Sequence, residues 1–325
     1  MTAWPAGRAR TATGIALICV LLAATTGYVL WRARAADSDG AWSLRPDRPG
    51  TVVYVDRGRV RQVPRGAGER AGRSAGKGPD CQRAAVAGGT LVCLRGLPGP
   101  MSSDVRVYRG PGKPQVTLPV WGEPSRARVS PSGHLVAWTV FRSGDSYVAQ
   151  GQFSTTAGIY DLRDGDHYGS LEDFRPYVGG KPYRAEDVNY WGITFAADDR
   201  TFYATMASKG RTWLMRGDLT RRTLTALREN VECPSLSPDG HRIAYKKRTG
   251  DRWRLHVLTL RGGRDVPLAE TASIDDQPAW LDDDTIAYTR PGDSGPTVFT
   301  TPADGTGTPS KLLNGASATA PVPRP

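Results

Sequence analysis

Four stretches of the chain carry one short pattern: an apolar residue, a tight turn, and a strand that closes on a small and an aromatic residue. They read Val129-Ser-Pro-Ser-Gly-His-Leu-Val-Ala-Trp138, Phe195-Ala-Ala-Asp-Asp-Arg-Thr-Phe-Tyr-Ala204, Leu236-Ser-Pro-Asp-Gly-His-Arg-Ile-Ala-Tyr245 and Trp280-Leu-Asp-Asp-Asp-Thr-Ile-Ala-Tyr288. A repeat of this kind restricts the fold more than any other feature, because one unit cannot bury its apolar face without a neighbour. In the third copy Ser237 opens the turn, Pro238 presets φ, Asp239 tolerates the third position, and Gly240 takes the left-handed conformation. Each copy therefore reads as a β-hairpin. Further strands follow at Ala157–Leu162, Thr212–Arg216, Trp253–Leu258 and Pro296–Thr300, and a short fourth strand is visible at Arg264–Leu268. Four antiparallel strands per repeat make one propeller blade.

The spacing agrees. Phe195 to Leu236 is 41 residues and Leu236 to Trp280 is 44, while Val129 to Phe195 is 66 and implies an insertion. Blades of this type run about 40–45 residues. A worn copy at Cys81–Cys93, followed by Val105–Tyr108, brings the count to five. Thr51–Val55 and Arg59–Val63 supply two more strands, and Ala316–Val322 reads as another first strand. The expectation is an all-β propeller of four-stranded blades, six in number with the last one composite. A five-bladed ring with an N-terminal hairpin is the alternative.

The Leu-Ser-Pro-Asp-Gly-x-x-Ile-Ala-Tyr pattern resembles the repeat of TolB-like (WD40-like, PD40) β-propellers, over roughly residues 81 to 314. That resemblance implies the fold more than a function, since such propellers occur in envelope proteins, peptidases and lyases. About twenty residues separate the N-terminal apolar segment from the first strand, too few for the additional α/β domain of the Gram-negative family member.

Gly14 to Trp31 is uncharged and mostly apolar, with Arg8 and Arg10 before it and Arg32 and Arg34 after. This approaches the ~20 residues that cross a bilayer. The reading is a short cytoplasmic tail at 1–13, one transmembrane helix or signal segment at 14–31, a polar tether at 32–50, and an extracytoplasmic propeller at 51–325. The alternative is secretion after cleavage at Ala33-Arg34-Ala35.

Cysteine usage fits export. Placing the first-blade turn at Ala87 sets Cys81 opposite Cys93 across a hairpin, a geometry open to a disulfide in an oxidising compartment. Two buried thiols are the other reading. The net charge is +11, with Arg57, Arg59, Arg61, Arg65, Arg70, Arg73 and Lys77 concentrated early in the domain. Such a surface attracts anionic lipid or wall polymer, and export argues against nucleic acid; solvated faces are the simpler use. Gly66 to Pro79 reads as a loop.

Apparent catalytic motifs dissolve on inspection. Gly292-Asp-Ser-Gly resembles a serine-protease nucleophile, but none of His134, His167, His241 and His256 stands in the required context. Gly72-Arg-Ser-Ala-Gly-Lys-Gly78 is short by a residue as a phosphate loop and lacks its Ser or Thr. The Asp275, Asp276, Asp282, Asp283, Asp284 and Asp198–Asp199 clusters lack calcium-loop spacing. No cofactor and no metal are expected. The inserted segments 142–156 and 166–191 hold Tyr147, Phe153, Tyr168, Phe174, Tyr177, Tyr183, Tyr190 and Trp191, which either meet a partner or pack on the propeller's own rim. The function expected is a membrane-anchored, non-enzymatic protein-binding or scaffold module of the cell envelope. The alternatives are a lyase or hydrolase with a central-channel site, or a basic surface for anionic polymers.

Overall fold

The protein is described here from a computed structural model covering residues 6–37, 42–66, 76–142, 154–293 and 295–322. It divides into two units, Met1–Ala41 and Trp42–Pro325. The first contains one helix, Ala6–Asp37, which runs past both ends of the expected span. Its exposed side chains include Ile15, Leu17, Ile18, Val20, Leu21 and Leu22. Thr25 turns its hydroxyl inward on the helix, donating to the Leu21 carbonyl oxygen at 2.8 Å. Among the described residues no helix is long and apolar enough to cross a membrane.

The second unit is a ring of six sheets. Blade 1 is composite: Ser317–Val322 from the C-terminus pairs with Thr51–Asp56, followed by Arg59–Pro64 and Gly76–Asp80. The closing register sets Thr51 against Val322 and Val53 against Ala320. Blade 2 comprises Arg83–Ala87, Thr90–Gly96, Ser102–Tyr108 and Val116–Trp121; blade 3 comprises Glu123–Val129, Leu135–Arg142, Ser154–Asp161 and His167–Tyr168. Blade 4 is built on Asn189–Phe195, Thr201–Ser208, Arg211–Asp218 and Thr223–Glu229; blade 5 on Glu232–Leu236, Arg242–Thr249, Arg252–Thr259 and Asp265–Pro267. Blade 6 holds Ala279–Trp280, Thr285–Arg290, Thr297–Pro302 and Ser310–Asn314. The six-blade expectation, with its composite blade, is what the ring shows.

The repeat has a local cause, seen in blades 3, 4 and 5. Gly133 and Gly240 adopt φ of +79° and +73°. Their amides donate to Ser130 O at 2.8 Å and Ser237 O at 2.9 Å, closing the turns. The serine hydroxyls then accept Leu135 N at 3.0 Å and Arg242 N at 2.9 Å. In blade 4 Asp199 takes the left-handed position at φ +49°, and Asp198 caps Thr201 N at 2.7 Å. Asp is tolerated there because its short polar chain bonds locally.

The second strands are buried almost continuously, as in Leu135–Val140. Both of their faces meet neighbouring blades, which selects the Ile-Ala-Tyr type of run. The closing aromatic finds a polar partner: Tyr245 donates to Asp265 at 2.9 Å and Tyr288 to Glu270 at 2.6 Å. Trp138 instead lies over Gly158, where an added Cβ would stand 2.4 Å from its ring.

Two expectations need correction. Residues 42–50, read as the end of a tether, belong to the propeller: Trp42 and Leu44 are buried, and Leu44 N donates to Lys77 O at 3.2 Å. Apolar side chains close to a sheet edge were recruited to cover it. The insertion after blade 3 likewise extends a sheet. Arg175–Val178 pairs parallel with Thr223–Glu229, and Lys181–Pro182 follows, so blade 4 has six strands.

Candidate functional site

In a ring of four-stranded blades, the turns between second and third strands lie on the same face as the connections between blades. On this face a cavity of about 680 Å³ opens between blades 4 and 5. Trp191 forms part of its wall and Trp253 another part. Arg248 stacks on Trp253 at 4.4 Å, and Lys246 lies 5.0 Å from the same ring. Trp253 Nε1 donates to Glu232 at 3.1 Å. The rim carries Lys209, Arg211 and Glu229, all exposed. Asp187 at the rim is held below the usual carboxylate range by the Ser208 hydroxyl and the Lys209 amide. The groove is aromatic at the base and mixed in charge at the edge.

A second cavity, about 380 Å³, occupies the mouth of the central channel on the same face. It is lined by Arg83, Arg126 and Arg128 from the first strands of blades 2 and 3, with Asp275, Asp276 and Gln277 opposite. Arg128 Nη2 donates to Pro278 O at 2.8 Å and lies 3.4 Å from Ser235 Oγ. Burial pushes its pKa down to about 10 despite the nearby Asp276. Burial also lowers Arg83, and Arg126 adds to that by repulsion. Lys246, 3% exposed, is paired with Asp275 and lies 4.0 Å from Glu232. Lys246 thus joins the channel mouth to the groove. Convergence of charged side chains was absent from the sequence reading. The signal was present in Arg126-Ala-Arg128, whose period of two places both cations on one strand face.

The aromatic insertion is placed mainly by packing. Phe174 and Trp191 are buried, and Phe174 meets Phe202 edge-on at 5.8 Å. Tyr168 packs on Phe174 at 5.9 Å under Arg222. Tyr183 packs on Trp213 at 5.9 Å, and its hydroxyl lies 2.9 Å from Ser208 Oγ. Tyr177 is half-buried in the strand that extends blade 4. Tyr147 and Phe153 lie outside the described residues. Of the described residues among those singled out from sequence, only Trp191 touches the groove.

Cys81 and Cys93 form a disulfide with Cα atoms 5.5 Å apart. Their register differs from the hairpin reading. Cys93 lies opposite Ala84, because the turn falls at Gly88-Gly89, and Cys81 precedes the strand. The bond therefore ties the blade 1–blade 2 connection to the second strand of blade 2. Cys233 is a buried free thiol.

The early arginines are largely partnered. Arg59 meets Asp80 at 2.7 Å, Arg57 and Arg61 lie 3.9 Å from Asp56, and Arg65 pairs with Asp282. Arg70 and Arg73 lie outside the described residues, and the expected loop ends in the strand Gly76–Asp80. The acidic clusters serve turns: Asp283 accepts Asp239 N at 3.0 Å and Asp282 accepts Asp284 N at 2.9 Å. Among the described residues no group of three His, Cys, Asp or Glu side chains is placed to hold a metal ion. Ser132 and His134 both bond Asp199, at 2.6 and 3.1 Å. A nucleophile–base pair needs the serine on the imidazole, so this arrangement braces a turn. Ser294 lies outside the described residues.

The chain is a six-bladed propeller, and the two cavities described above open on one of its faces. No family model matches the sequence, and no curated protein matches it. Solved structures do. TolB from Acinetobacter baumannii superposes with a TM-score of 0.57 at 14% identity, over 85% of this chain and 67% of that one. A chain of a nidogen/laminin complex gives 0.52 at 11% identity, over 83% and 98%. The propeller is TolB-like in fold, and at these identities the likeness extends to the fold alone.

Proposed function

We propose that this chain is a non-catalytic binding module of the cell envelope, held at the membrane by its N-terminal helix, that grips a protein partner in the groove between blades 4 and 5. The groove itself carries the reading. Its base is aromatic, its arginine and lysine side chains stack on Trp253, and charges of both signs ring its edge. Aromatic and arginine side chains in a recess with a polar rim are the composition of protein interfaces. The TolB-like fold is consistent with this role.

The proposed location is supported by the side chains of the helix and by the disulfide. Most exposed side chains from Ile15 to Val29 are apolar, and Thr25 satisfies its hydroxyl within the helix, as lipid demands. The Cys81–Cys93 bond belongs in an oxidising compartment. The helix would enter with its N-terminus inside, placing the propeller outside the membrane.

Two measurements test the proposal. Photoreactive residues at Lys209 and Arg248 on the groove rim should capture one envelope protein, whereas one at Asp304 on the opposite face should not. Equal capture from both faces, or none, removes the groove as the binding site. Protease added to intact cells should digest the propeller if it is extracytoplasmic; protection until lysis would refute the location.

A further inference from the structure

We propose that the mouth of the central channel is an oxyanion site, in which Arg83, Arg126 and Arg128 receive a carboxylate or phosphate group carried by a small ligand. The proposal is independent of the groove between blades 4 and 5.

Three guanidinium groups from two neighbouring strands line one cavity of about 380 Å³. Arg128 has a structural use, since it reaches across the channel to Pro278 and Ser235. Arg83 and Arg126 bond locally: Arg83 reaches Gln82 O at 3.4 Å, and Arg126 interacts with the Cys233 sulfur. Arg83 Nε and Arg126 Nη1 both converge on the carbonyl oxygen of Ser125, at 2.7 and 2.9 Å. Two cations thus share a neutral acceptor, and Arg126 Nε is buried with no hydrogen-bond partner. A guanidinium offers five donors in a planar fork, so most of the donor capacity of this pair is unspent.

The acids nearby balance charge at Arg126 but do not take up the free donors of the cluster. Asp275 is taken by Lys246. Asp276 lies 4.0 Å from Arg126, beyond hydrogen-bond length, and its two oxygens accept Gln277 N at 2.9 Å and Thr289 N at 3.1 Å. Against burial, Cys233, Asp276 and Asp275 together favour the charged form of Arg126, so what the cluster lacks is acceptors within hydrogen-bond length. Buried like charges are costly unless a counter-charge completes them. An oxyanion in the cavity would supply further acceptors to Arg83 and Arg126, the orphaned Arg126 Nε among their donors. The planar fork matches carboxylate and phosphate alike.

The test uses the full-length chain in detergent micelles, with thermal unfolding and calorimetric titration. Sodium phosphate and sodium succinate are compared with sodium chloride at equal ionic strength. Either oxyanion should raise Tm where chloride does not, because a ligand of the native state stabilises it by mass action. Response to phosphate alone identifies a phosphate ligand; response to succinate alone identifies a carboxylate. Arg126→Gln and Arg83→Gln should each weaken binding at least about tenfold, the scale of a lost charged hydrogen bond. Arg126→Lys, which keeps the charge but not the fork, should also weaken it and guards against a misfolded Gln variant. Shifts equal to those in chloride would overturn the site, as would unaltered affinity in the Arg83→Gln/Arg126→Gln double variant. Binding of an acidic peptide with no response to either small anion would overturn the small-ligand assignment.

Discussion

Arg128 in the first strand of blade 3 donates from Nη2 to the carbonyl oxygen of Pro278, 2.8 Å away and 150 residues later in the chain. The bond crosses the central channel and links blade 3 to the entry of blade 6. Gln277 makes the companion link, donating to Pro234 O at 2.7 Å. A ring closed by one composite blade has few covalent constraints on its circumference, and these bonds act on it from within.

Removing the Arg128 side chain leaves the Pro278 carbonyl without its partner. Arg128→Ala should lower stability by about 1–3 kcal/mol, the cost of an orphaned buried polar group. Arg128→Met restores volume and relieves repulsion from Arg126, so it should cost less. Urea unfolding of both variants orders them; a more stable Ala variant would refute the role.

Gly158 is required by the ring it faces. A Cβ there would meet Trp138 at 2.4 Å and the Gly169 carbonyl oxygen at 2.8 Å. Gly158→Ala should destabilise by about 1–3 kcal/mol through overpacking. Gly110, with nothing within 4 Å of its added Cβ, is the control and should change stability by less than about 0.5 kcal/mol on substitution by Ala. Thermal melts compare the two.

Glu270 and Tyr288 make stability depend on pH at both ends. Glu270, 1% exposed, accepts the Tyr288 hydroxyl at 2.6 Å, Ala272 N at 2.7 Å and Arg290. Burial opposes its charge, but these bonds prevail and hold its pKa below the usual value. Its contribution is therefore complete above the unfolded value of about 4.3 and lost as pH falls through the lower folded value. Burial, then the bond to Glu270, raises the Tyr288 phenol. That contribution is present below about pH 10 and lost as pH rises through the folded value. Glu270→Gln should flatten the acid limb of a stability–pH curve and Tyr288→Phe the alkaline limb. Unchanged limbs would show that other groups dominate.

The disulfide should strengthen the start of the ring. Replacing Cys81 and Cys93 together by Ala should cost about 2–4 kcal/mol. Both sulfurs lie in residues no more than 2% exposed, so reductant should act slowly on the native protein and quickly after unfolding. Alkylation read by peptide mass at Cys81 and Cys93 measures this, since the free Cys19 is exposed; immediate labelling of either half-cystine in the native protein would contradict the burial.

Much of the ring was legible in the chain. The turn of Ser237 to Gly240 is local, since four residues set its dihedrals and hydrogen bonds, so it can be read without knowing its neighbours. The same locality made Ala316–Val322 recognisable as a first strand, and its pairing with Thr51–Asp56 closes the ring. The site was less legible. Arg126 and Arg128 alternate visibly, yet nothing local says that Arg83, Asp276 and Pro278 will stand around them. The aromatics of 166–191 illustrate the converse: a ring's capacity to bind a partner depends on whether Phe202 or Trp213 already covers it.

The sequence by itself determined the blade and the propeller class, because both rest on short-range turn chemistry and strand alternation repeated at a fixed interval. The choice of six blades over five was decided by the pairing of Thr51–Asp56 with Ser317–Val322. Only the tertiary structure decided where charge gathers and which surfaces remain open. Those properties belong to the channel and the spaces between blades, which form from residues far apart in the chain when the ring shuts.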